Sequence, residues 1–244
     1  MARQRADLLL VARGLFDSRA KARAAIEAGT VTANDHVVAK AASMLEEDAV
    51  LTGSATHPWV GRGGVKLDHA LTLWPVVVAG RIVLDLGAST GGFTEVCLQR
   101  GAECVFAVDV GRDQLHPTLA DDPRVIELSG NDVRNLNAQL IDPPPSLIVC
   151  DLSFIGLAKA LAPALDLAEP EADLVCLVKP QFEGAGPEGV GKGGIVRDTD
   201  VQDAALARAM AWISDQGWTV RQTAESPILG GDGNREFLLW ATKA

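Results

Sequence analysis

From position 81 onward, the chain alternates short apolar runs with segments in which apolar residues recur at helical spacing. Short apolar runs are typical of buried strands, and helical spacing is typical of helices with one apolar face. The predicted strands are Ile82–Leu86, Cys104–Val108, Val125–Leu128, Leu147–Leu152, Leu174–Val178, Thr219–Thr223 and Phe237–Ala241. The predicted helices are Gly91–Arg100, Gln114–Ala120, Ile155–Leu167 and Asp200–Gln216. Seven strands connected in this way predict a doubly wound, Rossmann-like α/β fold, which binds ligands at the carboxyl ends of its strands.

The first 60 residues follow a different pattern, in which two short helices precede a small α+β sheet. The predicted helices are Asp7–Ala12 and Arg19–Ala28, and the predicted strands are Thr30–Ala33, His36–Val38 and Ala49–Thr52. Ser18 is placed to cap the second helix, and Gly29 is placed to end it. A turn-rich segment, 53–61, follows the last strand. We therefore predict two domains, residues 1–60 with the linker and residues 61–244.

The charge of the chain is unevenly distributed between these parts. The net charge is −10, from 22 basic and 32 acidic residues, and such an acidic total argues against binding to nucleic acid. Residues 1–40, however, carry seven basic and four acidic side chains and are therefore net positive. Arg19 and Arg23 are four positions apart on a predicted helix and share one exposed face. The acidic total describes the large domain and does not exclude a basic docking surface on the small one.

Two helices with an arginine face, followed by a hairpin, resemble the small RNA-binding module of ribosomal protein S-four and of pseudouridine synthases. The residues that carry the resemblance are Arg5, Leu8, Gly14, Ser18, Arg19, Ala22, Ile26, Gly29, Val31, Asn34 and Val37. The resemblance implies that this domain positions RNA through phosphate contacts. The candidate RNA-binding residues are Arg5, Arg19, Arg23 and Arg62. The alternative is a solvated helix whose arginines confer only solubility.

A glycine-rich turn follows the first strand of the large domain, but it lacks the GxGxxG pattern of dinucleotide-binding proteins. Asp85 at the end of that strand would repel a pyrophosphate and suits a cationic cofactor such as S-adenosylmethionine. Asp109 ends the second strand, where a carboxylate can accept both ribose hydroxyls. Asp132 follows the third strand and is placed to meet the adenine amino group, although it could equally cap a helix. Three acids at successive strand ends favour a methyltransferase over other nucleotide-binding proteins.

Charged residues also follow the next two strands, with Asp151 after the fourth and Lys179 after the fifth. Lys66 lies just before the fold begins, and Glu236 opens the last strand. A ribose 2′-hydroxyl is a weak acid, and a lysine can take its proton only when burial or a neighbouring cation destabilises the ammonium form. Two lysines with two carboxylates can supply both conditions without a metal. The alternative is two ordinary ion pairs, Lys66–Glu236 and Asp151–Lys179.

These four residues match the Lys-Asp-Lys-Glu tetrad of the FtsJ-like ribose 2′-O-methyltransferases. The segments RGGVKL, DLGASTGGFTE, DVGRDQL, DLSFI, LVKPQFE, VGKGGIVRD and GNREFLLW extend the resemblance to the TlyA family over nearly the whole chain. The family resemblance implies a class I, S-adenosylmethionine-dependent methyltransferase that modifies a cytidine 2′-hydroxyl in ribosomal RNA. It makes Lys179 the base, with Asp151, Lys66 and Glu236 tuning and positioning it. It also places Gly87, Ser89, Gly91 and Phe93 around the cofactor, with Asp109 and Asp132 at its ribose and adenine.

Three features differ among members of that family. Asp132 stands where relatives often have Asn, and the linker reads HPWV where some relatives have a more basic tetrapeptide. The chain ends soon after Trp240, as in the shorter form that modifies only 23S rRNA. We therefore expect the 50S subunit, rather than the 30S subunit, to be the partner. The glycine-rich stretch 184–194 predicts a mobile loop, near which Lys192 and Arg197 could contact phosphate.

Three other functions are weighed against this one. The first is a non-enzymatic RNA-binding protein, the second a small-molecule methyltransferase, and the third a haemolysin or cytotoxin, as the historical family label suggests. The last needs a signal or membrane-inserting segment, and the longest apolar runs are far shorter than the roughly 20 residues that span a bilayer. The four cysteines have neither metal-ligand nor disulfide spacing. We expect a cytoplasmic protein without a membrane partner, as a monomer or weak dimer.

Overall fold

The computed structural model describes residues 3–54, 56–184, 190–191 and 193–243. The expected phosphate contact of Lys192 and most of the expected loop lie outside these residues. The chain divides into two compact units, Met1–Gly61 and Arg62–Ala244. No helix in the described ranges is long and apolar enough to cross a membrane.

The N-terminal unit packs two helices against two small antiparallel sheets. Its elements are β1 (Arg3–Arg5), α1 (Ala6–Ala12), α2 (Arg19–Glu27), β2 (Val31–Ala33), β3 (His36–Val37), β4 (Met44–Glu46) and β5 (Leu51–Gly53). The three-stranded sheet has the order β3-β2-β5, and β1 pairs with β4. Asn34 and Asp35 both adopt positive φ, as a tight hairpin turn requires. Ser18 caps α2 by accepting the Lys21 amide, as predicted, and Leu10, Phe16 and Ile26 lie in the core.

The C-terminal unit contains a seven-stranded sheet. Its elements are α3 (Arg62–Leu73), β6 (Ile82–Leu86), α4 (Gly92–Gln99), β7 (Cys104–Asp109), α5 (Pro117–Ala120), β8 (Val125–Ser129), β9 (Leu147–Cys150), α6 (Leu157–Ala160), α7 (Ala162–Leu167), β10 (Asp173–Val178), α8 (Thr199–Asp215), β11 (Trp218–Glu225) and β12 (Phe237–Lys243). Two 3₁₀ turns, Val133–Asn135 and Pro180–Phe182, follow strands β8 and β10.

The strand order is β11-β12-β10-β9-β6-β7-β8. The strands β10, β9, β6, β7 and β8 are parallel, and only β12 runs opposite to its two neighbours. The chain order reverses between β6 and β9, and a ligand cleft is expected at that switch point. Strands β9 and β10 are buried along their whole length. The predicted doubly wound fold is confirmed.

The helices differ from the sequence prediction in two places. Lys66, predicted to lie just before the fold, lies on α3, a helix that was not predicted. The predicted helix Ile155–Leu167 is broken into α6 and α7 at Leu161. Pro163 explains the break, because a proline has no backbone N–H and its ring clashes with the carbonyl four residues earlier in a continuous helix.

Candidate active site

The four tetrad residues come from four elements that meet at the carboxyl edge of the sheet. Asp151 directly follows β9, and Lys179 directly follows the neighbouring parallel strand β10. Glu236 precedes β12, and this strand starts beside the end of β10 because the two are antiparallel, with Phe237 opposite Val178. Lys66 reaches the same point from the buried face of α3. The topology therefore brings together residues that are up to 170 positions apart.

Asp151 joins the four side chains into one cluster. Its Oδ1 lies 2.6 Å from Lys179 Nζ, and its Oδ2 lies 3.8 Å from Lys66 Nζ. Lys66 Nζ also donates to Glu236 Oε2 at 2.6 Å, and Lys179 Nζ donates to Ser153 Oγ at 2.9 Å. Both ion pairs of the simpler alternative are present, but Asp151 links them, so the two ammonium groups share one carboxylate.

The cluster is shielded from water on most sides. Lys66 and Lys179 are each 6% exposed, and Glu236 is 3% exposed. The Asp151 side chain is 19% exposed and lines a cavity of about 980 Å³. A Cβ at Gly63 would lie 3.4 Å from Asp151 Oδ2, an ordinary contact distance, so the first turn of α3 packs directly beside the carboxylate. Among the described residues, the cavity therefore gives a substrate hydroxyl a route to the cluster at Asp151.

Four of the predicted cofactor residues line this cavity, namely Gly87, Ser89, Asp109 and Asp132. Asp109 Oδ2 accepts the Ser89 amide at 2.8 Å, and its Oδ1 accepts the Gly111 amide at 2.7 Å. A carboxylate held by two amides is fixed in orientation and keeps further lone pairs for the hydroxyls of a ribose. Gly87 has φ +84°, and a Cβ there would lie 2.9 Å from the Asp151 carbonyl oxygen. Glycine at this position keeps the turn close to the tetrad.

Asp132 lies at the cavity and also caps a turn, as one of the two interpretations of the sequence predicted. Its side chain lines the cavity and also caps the 3₁₀ turn Val133–Asn135, because it accepts the Arg134 amide at 2.9 Å. The Arg134 guanidinium donates to the same carboxylate and lowers its pKa to about 2. Asp132 is therefore an ionised cap at the cavity wall, and its contact with adenine stays a prediction.

The other three predicted cofactor residues lie beneath the cavity wall. Asp85 is fully buried and accepts a hydrogen bond from Thr94 Oγ1 at 2.6 Å, whereas its Oδ1 has no hydrogen-bond partner in the described part of the chain. Burial raises the pKa of Asp85 to about 7, with a further contribution from the Asp151 charge. Gly91 caps α4 with φ +96°, and Phe93 packs beside Gly63. In this structure these residues shape the turn, and direct contact with a cofactor stays a prediction.

Comparison with known proteins assigns the family. The model for FtsJ-like methyltransferases matches residues 59–243. The 16S/23S rRNA (cytidine-2′-O)-methyltransferase TlyA of Mycobacterium tuberculosis is 42% identical over 98% of this chain and 89% of its own length. The chain belongs to the TlyA family of FtsJ-like methyltransferases. A second TlyA, the 23S rRNA (cytidine-2′-O)-methyltransferase of Campylobacter jejuni, is 31% identical over 81% of this chain and 78% of its own.

A solved structure agrees with the TlyA assignment. A candidate haemolysin from Streptococcus thermophilus is 37% identical, with a TM-score of 0.80 over 100% of this chain and 90% of its own. The predicted family resemblance is therefore confirmed. No group of three or more His, Cys, Asp or Glu side chains in the described ranges is placed to hold a metal ion.

The predicted RNA-binding arginines of this TlyA-family chain lie in both units. Arg5 and Arg19 both pair with Asp7 in the N-terminal unit, and Arg23 is exposed on α2. Arg62 is exposed at the start of α3, where it donates to the Leu229 carbonyl within the C-terminal unit. None of these contacts tests RNA binding, so the four assignments stay predictions.

Several residues of the site were not singled out from the sequence. Ser153 and Phe154 belong to the quoted DLSFI segment, yet only Asp151 was given a role there. Phe154 lines the cavity with 88% of its surface exposed, and its ring centroid lies 5.6 Å from that of Phe182. A signal for α3 was available, because Leu67, Ala70, Leu71 and Trp74 follow helical spacing and all are buried.

Proposed function

We propose that this chain transfers the methyl group of S-adenosylmethionine to the 2′-hydroxyl of a cytidine in ribosomal RNA. The observation that carries the proposal is the cluster in which Asp151 joins two buried lysines at the wall of a large cavity. The family relatives from M. tuberculosis and C. jejuni are named for this reaction. The N-terminal unit then acts as the RNA-docking part of the enzyme, and its action on rRNA belongs in the cytoplasm.

The residues of the cavity fit the cofactor. The Asp109 carboxylate is held by two amides at the end of β7, where it can accept the ribose hydroxyls. The buried Asp85 Oδ1 has no hydrogen-bond partner in the described residues, and a cation bound at the glycine-rich turn would stabilise the ionised form of this carboxyl. Gly87, Ser89 and Asp132 would complete the binding site. The bound cofactor supplies an electrophilic methyl group on a sulfonium, and no metal is needed for that chemistry.

Lys179 is the residue that takes the proton from the 2′-hydroxyl. Two ammonium groups around one carboxylate repel each other, and burial removes the water that would stabilise both charges. Glu236 pairs with Lys66 at 2.6 Å, whereas Lys179 pairs with Asp151, the carboxylate that lines the cavity. Asp151 and Ser153 orient the Lys179 amine from two directions. Proton removal by a positioned base contributes about 10²- to 10⁴-fold to such reactions.

We infer that the substrate is 23S rRNA in the large subunit. The C. jejuni relative is named for 23S rRNA alone, whereas the M. tuberculosis relative is named for 16S and 23S rRNA. Both names include 23S rRNA, and this shared target supports the proposal. The assignment concerns which subunit is methylated, and the chemistry at Lys179 is independent of it.

Incubation with radiolabelled S-adenosylmethionine and separated 30S and 50S subunits tests the proposal. We expect label in the RNA of the 50S subunit and little in that of the 30S subunit. Lys179→Ala should remove the label while still binding S-adenosylmethionine, as measured by calorimetry. Equal labelling of both subunits would refute the 23S assignment, and label in neither would refute action on ribosomal RNA.

A further inference from the structure

Asp7 is a fully buried carboxylate that connects three elements of the N-terminal unit. It lies in the first turn of α1 and accepts hydrogen bonds from Arg5 at the end of β1 and from Arg19 at the start of α2. Its Oδ1 also accepts the Leu8 amide at 3.1 Å. Hydrogen bonds from the Arg5 guanidinium are the largest cause that holds the pKa of Asp7 well below its usual range. The carboxylate therefore stays charged at any pH at which the protein works.

Both arginines bind Asp7 through the same edge of the guanidinium group. Arg5 donates through Nε at 2.9 Å and Nη2 at 3.1 Å, and Arg19 donates through Nε at 3.3 Å and Nη2 at 2.9 Å. A planar guanidinium held at this edge points its other nitrogen, Nη1, away from the carboxylate. The side chains of Arg5 and Arg19 remain 43% and 55% exposed. Asp7 thus holds both guanidinium groups on one carboxylate, while the two arginine side chains stay partly exposed to solvent.

We propose that Asp7 is a positioning residue that aligns Arg5 and Arg19 as a clamp for one phosphodiester of the RNA. This inference rests on the proposed RNA-docking role of the N-terminal unit. The cluster of two arginines and one aspartate has a net charge of +1, which matches the single negative charge of a phosphodiester. Arginine suits this geometry because it can bind a carboxylate at one edge and a phosphate at the other, which a lysine ammonium cannot do.

Asp7 has a second effect on α2. Arg19 is the first residue of that helix, where the positive end of the helix dipole disfavours a cation. The Asp7 carboxylate offsets this repulsion at 2.9 Å and holds the guanidinium at the helix start. Without Asp7, the flexible Arg19 side chain would leave this position, and ordering it again on RNA would cost conformational entropy. A variant without the carboxylate therefore separates two effects on RNA affinity. Loss of arginine alignment should weaken RNA binding, whereas the more positive net charge should strengthen it.

The test measures binding of the full chain to transcribed 23S rRNA by filter retention, at several salt concentrations. Asp7→Asn removes one negative charge and so raises the net charge of the unit by one. We nevertheless expect about tenfold weaker RNA binding, and a plot of log K against log[salt] whose slope is shallower by about one. Asp35→Asn makes the same chemical change at an exposed turn and should leave affinity equal or slightly higher. The Asp7→Asn enzyme should show a raised KM for RNA out of proportion to any loss of kcat.

A second pair of variants covers the case in which Asp7→Asn disturbs folding, which circular dichroism would detect. Arg19→Lys keeps the positive charge but removes the guanidinium, which can bind Asp7 at one edge and a phosphate at the other. Arg23→Lys makes the same change one turn further along α2, at an exposed arginine. We expect Arg19→Lys to weaken RNA binding several times more than Arg23→Lys does. Equal effects of these two substitutions, or tighter binding by folded Asp7→Asn, would overturn the clamp.

The outcomes separate the clamp from the proposed activity. A wild-type chain that binds RNA through the clamp but transfers no methyl group would refute the proposed function and leave the clamp intact. A wild-type chain that does not bind RNA would overturn the clamp itself.

Discussion

Two aspartates in this chain each hold two cations, and the cations differ. In the C-terminal unit Asp151 lies between Lys66 and Lys179, and in the N-terminal unit Asp7 lies between Arg5 and Arg19. A lysine can give up its proton in a protein, whereas an arginine cannot. The lysine cluster can therefore perform proton transfer, and the arginine cluster can supply only fixed charge and hydrogen bonds.

The two clusters also differ in which of their side chains are buried. The lysines are almost inaccessible while Asp151 is partly exposed, so the cluster opens to the cavity at its carboxylate side. Around Asp7 the order is reversed, because the carboxylate is inaccessible and the arginines are about half exposed. A carboxylate at the base of a cluster aligns cations for an external anion. In the lysine cluster, the carboxylate instead lies at the cavity and the two cations lie behind it.

Exchanging the type of cation should have its largest effect at Lys179. Lys179→Arg keeps the positive charge next to Asp151 but removes the group that can accept a proton. We expect single-turnover methyl transfer to 50S subunits to fall by about 10²- to 10⁴-fold. Lys243→Arg is the matched control. Lys243 lies at the end of β12 that is far from the lysine cluster, and it donates to the Leu165 and Ala168 carbonyls. Transfer by Lys179→Arg within threefold of the wild-type rate would show that Lys179 is not the base.

Acid should weaken the arginine cluster through Asp7. Because the folded-state pKa of Asp7 is depressed, its stabilisation is complete above the ordinary aspartate pKa of about 3.9 and is lost as the pH falls below it. We expect Asp7→Asn to lower the thermal midpoint of the N-terminal unit by several degrees at pH 6, with a smaller difference near pH 2.5. Calorimetry of the full chain measures this. A difference that stays constant over this pH range would contradict the assigned ionisation.

Asp85 is a buried carboxyl that extends the comparison of Asp151 with Asp7. The side chain that donates to it is the Thr94 hydroxyl, not a cation. Its pKa is raised to about 7, first by burial. Between the ordinary aspartate pKa and about 7, the unfolded chain releases a proton that the folded chain keeps, so stability falls as pH rises through this window. Without cofactor, Asp85→Asn should therefore raise the midpoint of the C-terminal unit by a few degrees at pH 8 and less at pH 5. Asp166→Asn, at an exposed position, is the control. An equal shift of the midpoint by Asp85→Asn at pH 8 and at pH 5 would contradict the raised pKa of Asp85.

The two clusters also differ in how far the sequence predicts them. Asp151 and Lys179 were predictable because each directly follows an apolar run, and the ends of parallel strands meet at one edge of a sheet. The linkage of the four residues through Asp151, rather than two separate ion pairs, was not predictable, because it depends on how α3 places Lys66 beside β9. The helical spacing in α3 was present but was overlooked in a segment with two glycines in its first turn.

The Asp7 cluster shows a second limit of sequence interpretation. Arg19 was predicted from its position on a helix face and Arg5 from the resemblance to the RNA-binding module, but nothing in the local pattern indicates that one carboxylate holds both. Strands β1 and β4, each three residues long, are too short to show periodicity, and their pairing was missed as well. Likewise, the sequence placed Asp85 at the end of a strand but did not show that its carboxylate accepts a hydrogen bond from Thr94. Side-chain direction at a strand end depends on tertiary packing.

Mass spectrometry of nuclease-digested rRNA tests proton transfer at the lysine cluster most directly. Subunits are treated with S-adenosylmethionine and either the wild-type chain or Lys179→Arg, and the digest is searched for 2′-O-methylcytidine. We predict this nucleoside in 50S rRNA treated with the wild-type chain and its near absence after treatment with Lys179→Arg. A methyl group on a base instead of the ribose, or equal 2′-O-methylcytidine from both proteins, would contradict the assignment of the Asp151-linked lysines to 2′-hydroxyl methylation.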